Sequence, residues 1–112
     1  MAEKPIRVLF RFTFGQPARN TPAEQRQQFN AGWMPFFKKW KAAGVKLLSS
    51  WMAPGGELEG YCHYLIFEMK DLEQLSQFNQ EFNQSGMATI VDRYSVAVGD
   101  INQPWDGYWA QS

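Results

Sequence analysis

The chain has 112 residues with eleven basic and eleven acidic side chains, so its formal net charge is zero. That balance offers no electrostatic pull toward a polyanion, which argues against nucleic acid or an anionic membrane as a partner. A content of 45% hydrophobic and 20% charged residues reads as one ordinary folded domain rather than a disordered chain. The aromatic fraction, 16%, exceeds what two helices on a small sheet need, so part of it is expected at an interface or pocket. Cys62 is the only cysteine, which rules out an intrachain disulfide and suits a reducing, cytoplasmic setting. Its plainest role is that of a small apolar strand residue. No signal peptide or transmembrane span is expected, since the apolar runs fall far short of about twenty residues.

From Ile6 to Phe14 the pattern alternates: Ile6, Val8, Phe10, Phe12 and Phe14 share one face, and Arg7, Leu9, Arg11 and Thr13 the other. Gly15 to Asn20 reads as a turn. A helix is expected over Thr21 to Ala43, with Thr21 as N-cap, Pro22 at the first position and Glu24 closing a capping box. Phe29, Trp33, Phe36, Phe37 and Trp40 form its aromatic stripe. Pro35 should kink it near Gly32 or break it in two, and Gly44 is the expected C′ glycine.

Val45 to Met52 follows as a strand, and Pro54-Gly55-Gly56 marks a hairpin into a strand over Tyr61 to Met69. Asp71 with Gln74 caps a second helix, Asp71 to Ser85, whose apolar side holds Leu72, Leu75, Phe78 and Phe82; Gly86 ends it. Thr89 to Gly99 reads as the last strand. Residues 100–112 form an aromatic arm with Trp105, Tyr108 and Trp109.

The order βαββαβ predicts an α+β ferredoxin-like sandwich over residues 1–99, with one four-stranded antiparallel sheet and both helices on one face. Such a sheet keeps a second face that the chain cannot cover. Leaving Leu9, Leu48 and the outward residues of the third strand wet forgoes roughly 25 cal/mol per Å², so a homodimer joined through this face is expected. The aromatic arm then crosses the partner or covers a pocket mouth; folding back on its own subunit is the alternative.

The element order, the run Trp40-Lys41-Ala42-Ala43-Gly44-Val45 from helix into strand, and the passage Glu68-Met69-Lys70-Asp71 from strand into helix resemble the dimeric α+β barrel superfamily over nearly all of Ile6 to Gly99. That superfamily includes muconolactone-isomerase-like, YCII-related and antibiotic-biosynthesis-monooxygenase-like proteins. The resemblance implies a dimer and a fold that hosts cofactor-free oxygenases, isomerases, haem-handling proteins and others; fold alone does not choose among them. The His and Asp pair that marks the YCII-related members does not align with His63 or Asp92, so that activity is not carried over.

Sheet parity brings candidate chemistry together. A pairing that sets Arg7 opposite Glu68 also sets Arg11 opposite Tyr64, and the last strand can place Arg93 near Arg11. Arg7, Arg11, Arg93, Tyr64 and Glu68, walled by Leu9 and Ile66 with Trp51 as a candidate wall, would suit a small aromatic or anionic ligand. Arginine forks hold a carboxylate or phenolate, and a tyrosine orients or protonates it. The competing reading is a salt-bridge network that fixes the dimer interface.

His63, the only histidine, is a candidate general base by its near-neutral pKa. If Tyr64 and Glu68 line the cavity, however, His63 turns with Tyr61, Leu65 and Phe67 toward the helices and reads as structural. Cys62 and His63 project to opposite sides of a strand, so no metal site is expected, nor any cofactor. No phosphate-binding loop is present, and Ser49, His63 and Asp92 have no spacing that supports a triad. The functional expectation is a binding cavity for a small apolar or aromatic metabolite, with cofactor-free oxygenation or isomerisation as the candidate activity. The alternative is a non-enzymatic interaction module whose dimer interface is filled by side chains.

Overall fold

A computed structural model describes residues 4–14, 19–53, 61–102 and 104–112. The hairpin turn expected at Pro54-Gly55-Gly56 and most of the turn after Phe14 lie outside them. The elements are β1 (Ile6–Thr13), α1 (Ala23–Asn30), α2 (Trp33–Ala42), β2 (Lys46–Met52), β3 (His63–Met69), α3 (Leu72–Asn83), a 3₁₀ turn (Gly86–Ile90), β4 (Arg93–Asp100) and α4 (Pro104–Gln111). The strands form one antiparallel sheet in the order β2-β3-β1-β4, of α+β class. The sheet is open, with β2 and β4 as its edges. Among the described residues no helix is long and apolar enough to cross a membrane.

Strict alternation in β1 builds the core. Ile6, Val8, Phe10 and Phe12 are buried beneath Phe36 and Trp40 of α2 and Leu75, Phe78 and Phe82 of α3. The rings meet edge to face or tilted, as between Phe10 and Phe82 at 5.2 Å and between Phe36 and Phe78 at 4.9 Å, the arrangements the ring quadrupole favours. Phe14 and Trp33 pack at the margin of this cluster.

The predicted helical break falls at Ala31-Gly32, between α1 and α2. Pro35 lacks the N–H that would bond the Ala31 carbonyl, so the helix restarts with Pro35 in its first turn, where that donor has no intrahelical partner anyway. The start of α1 differs from expectation: Pro22, not Thr21, holds the cap position, in an extended conformation (φ −55, ψ 144). Its carbonyl accepts the first helical bond from the Arg26 N–H at 2.9 Å. At the end of α2, Gly44 takes the left-handed conformation (φ 95). The Val45 N–H bonds the Trp40 carbonyl and the Gly44 N–H the Lys41 carbonyl, a Schellman closure with Val45 buried against the core.

Asp71 caps α3 as expected, accepting from the Gln74 N–H at 2.8 Å. The Gln74 side chain accepts from the Lys70 N–H and donates to the Ala43 carbonyl, tying the start of α3 to the end of α2. Leu72 is a correction, being 63% exposed. At about 100° per residue it lies about 120° around the helix from Phe78, off the stripe. The last strand is shorter than predicted: Thr89 belongs to the 3₁₀ turn, which buries Met87 and Ile90.

Gly86 opens that turn at a close approach, since a Cβ there would lie 2.5 Å from Cδ1 of Phe29. Gly86→Ala is therefore expected to lower the unfolding free energy by about 1–3 kcal/mol, and by less in a Phe29→Ala background, where the obstructing ring is gone. Denaturant unfolding of the two single variants and the double variant checks this; equal costs in both backgrounds would mean the ring is not the obstacle.

Candidate binding site on the open sheet face

The register of β1 sets the polar face. Arg7 pairs with Glu68 and Arg11 with Tyr64 across β3, and across β4 Arg11 pairs with Ser95 and Thr13 with Arg93. Arg7, Arg11, Arg93, Tyr64 and Glu68 thus lie on the face turned away from the helices, with Leu9 and Ile66 between them. Trp51 joins them because β2 carries an extra residue: the pairing passes from Leu47↔Phe67 to Ser49↔Ile66, leaving Leu48 as a bulge. In a regular strand Lys46 and Trp51 have opposite parity; the bulge returns Trp51 to the face of Lys46, opposite Tyr64. The two rings stack at 5.1 Å and 6°.

Tyr61 departs from the parity expectation. It precedes the first ladder residue of β3, so alternation does not bind it, and its ring lies on the open face. The Arg11 guanidinium sits 4.5 Å from the ring centroid and that of Arg93 4.9 Å, contacts in which one aromatic ring receives two like charges. Arg11 also donates from Nη2 to Oγ of Ser95 at 3.1 Å. Among the described residues the Nε of Arg7 is buried with no hydrogen-bond partner. Glu68 forms its ion pair with Lys46 at 3.5 Å, so its charge is answered from β2. On the same face the Thr13 hydroxyl donates to Sγ of Cys62 at 3.2 Å.

His63 stands on the other side of the sheet. Its ring stacks on Phe12 at 5.0 Å and meets Phe14 edge-on at 5.2 Å. Here it borders a cavity of about 430 Å³ between Trp33 and Phe37 of α2 and the ends of β2 and β3, whose lining includes Ser50 and Met52 and also Trp51 and Tyr64. His63 and the hydroxyl of Tyr64 therefore do not converge on one point of the open face. Among the described residues no group of three or more His, Cys, Asp or Glu side chains is placed to hold a metal ion.

Burial lowers the His63 pKa below its ordinary 6.5, because desolvation penalises the imidazolium. The unfolded chain then takes up its proton at a higher pH than the folded chain, and stability is lost as pH falls through the ordinary value toward the lowered one. His63→Phe is expected to flatten the decline in unfolding free energy between about pH 7 and pH 5. Denaturant titrations across that range read it directly, and an unaltered slope would mean the ring is fully hydrated.

No family model matches the chain, and no curated protein matches it. Solved structures do. A Rhodopseudomonas palustris protein of unknown function has a TM-score of 0.55 at 18% identity, covering 91% of this chain and 85% of that one. A hypothetical Arabidopsis thaliana protein has a TM-score of 0.52 at 13% identity, covering 90% of this chain and 91% of that one. A hydroxynitrile lyase from Passiflora edulis has a TM-score of 0.50 at 11% identity, covering 90% of this chain and 96% of that one. At these identities the likeness is one of α+β fold.

Proposed function

We propose that the chain is a ferredoxin-like subunit of a dimeric α+β barrel, in which two copies face their open sheets and enclose a chamber for a small aromatic or anionic metabolite. The observation that carries this reading is the Arg11–Tyr61–Arg93 stack beside the Trp51–Tyr64 pair. Aromatic planes and guanidinium forks converge there on a face that no helix of the core cluster covers. Edge strand β2 is exposed along its whole length, and a second sheet over the face would bury Trp51, Leu9 and Ile66 with a return of roughly 25 cal/mol per Å².

In the chamber Arg11 and Arg93, seated on Tyr61, hold a carboxylate or phenolate oxygen, Trp51 stacks on the ligand plane, and the Tyr64 hydroxyl orients it or passes it a proton. Arg7 supplies a donor at the far end, its Nε having no partner among the described residues. Cofactor-free oxygenation and isomerisation are the reaction classes that suit such a site. The Passiflora edulis neighbour, named as a hydroxynitrile lyase, adds carbon–carbon lysis to the chemistries to be assayed.

A second reading is favoured by the cavity that His63 borders, where its imidazole stands on an aromatic wall. A small apolar substrate inside one subunit would there meet a neutral imidazole able to accept a proton.

Titration with benzoate and phenol, followed by tryptophan fluorescence, separates the readings. The chamber reading expects Arg11→Ala to weaken binding tenfold or more, about 1.4 kcal/mol, with the dimer intact and His63→Phe without effect. The opposite pattern would favour the cavity within the subunit. Dissociation of the dimer by Arg11→Ala would make the arginine face a structural network.

A further inference from the structure

The C-terminal helix α4 carries the most exposed large aromatic residues of the described chain: Trp105 is 75% exposed, Tyr108 72% and Trp109 83%. Their spacing, i, i+3 and i+4, places them within about 100° of one another around the helix, the pattern by which an amphipathic helix enters a groove. None of the described residues of α4 is buried. At the other edge of the sheet a groove of about 980 Å³ runs between α2 and β2, walled by Met34, Phe37, Trp40 and Leu47. Lys38 and Lys41 line it as well.

We propose that α4 of one copy docks its Trp105–Tyr108–Trp109 face into the α2–β2 groove of a second copy. The proposal rests on the dimer reading above and goes beyond it by assigning the arm its place. The arm leaves from β4, whereas the groove lies beside β2, at the opposite edge of the order β2-β3-β1-β4. A two-fold axis parallel to the strands, between two facing sheets, exchanges these edges and sets β4 of one copy over β2 of the other.

The register fixes the level. Asp100 pairs with Ile6, Ile6 with Met69, and the neighbouring Glu68 with Lys46, so the arm departs at the end of the sheet where Gly44, Val45 and Lys46 line the groove. Residues 101–103 can reach about 10 Å, the separation of two packed sheets, and an eight-residue helix adds about 12 Å.

Charge complements shape. Asp106 lies about 100° around α4 from Trp105, on the flank of the aromatic face, and Asp100 stands at the root of the arm; both meet a lysine-lined groove. Lys46, which also lines the groove, pairs with Glu68 at 3.5 Å, so Lys38 and Lys41 are the cations the groove offers to the arm. Aromatic side chains bury about 150–250 Å² each, so two symmetric arms would bury roughly 900–1,500 Å² on the arm side alone, near the scale of a stable interface.

The test mixes two full-length chains of different tag size, both carrying Cys62→Ser, one with Met34→Cys and the other with Tyr108→Cys. Mild oxidation is expected to yield a covalent product of mixed size. In a separate Trp105→Ala/Trp109→Ala variant, sedimentation equilibrium is expected to show the dimer dissociation constant raised tenfold or more, with an unchanged circular dichroism spectrum. A dimer with an unaltered constant in that variant, together with no mixed product, would overturn the arm docking and leave the dimer reading standing. A wild-type chain that sediments as a monomer at tens of micromolar would overturn the dimer reading itself.

Discussion

The alternation of β1 is the constraint from which the rest of the molecule follows. Because successive strand residues project to opposite faces, burying Ile6, Val8, Phe10 and Phe12 under the helices forces Arg7, Leu9, Arg11 and Thr13 to the other side. A slip of one residue would bury two guanidiniums and expose two phenylalanines, so the register admits no alternative. β1 is also central, bonded to both β3 and β4, and it carries its division of faces to both neighbours.

Each neighbour reads that division in its own way. β3 follows it residue for residue, which is why Tyr64 and His63, adjacent in sequence, belong to different environments: one stacked on Trp51 on the open face, the other stacked on Phe12 in the core layer. β2 keeps it on both sides of the bulge at Leu48, and without that extra residue Trp51 would turn toward the helix side. The open face thus owes its aromatic ring on that edge to one inserted residue. Tyr61 escapes the rule altogether, lying just before the ladder begins, and its ring becomes the surface on which Arg11 and Arg93 gather.

The helix layer shows the same economy. Pro35 divides one amphipathic pattern into α1 and α2, and the Schellman turn at Gly44 and the Gln74 bridge to the Ala43 carbonyl lock α2 against α3. That leaves the groove between α2 and β2 open at one edge of the sheet while an aromatic helix projects from the other. A chain with an aromatic core, a charged and aromatic second face, an open groove and an exposed arm has packed one side of its sheet and left three surfaces uncovered among the described residues.

Local pattern by itself determined the four strands, the two helical patterns, the break at Pro35, the caps at Asp71 and Gly44, and the division of β1 into an apolar face and an arginine face, because period-2 alternation, proline geometry and capping chemistry act over a few residues; which side of β3 joins the arginines was set by the β1–β3 register. Tertiary structure decided the rest. The bulge at Leu48 depends on how β2 meets β3 and has no glycine to announce it. The turn of Tyr61 onto the arginine face depends on where a ladder stops, and the exposure of Leu72 on which side of α3 meets the sheet. The burial of Met87 and Ile90 in a 3₁₀ turn, where the residues suggested the approach to a strand, depends on the space left beneath α3. These outcomes are set by contacts between segments distant in the chain, and the energy of such contacts is not written in any local window of residues.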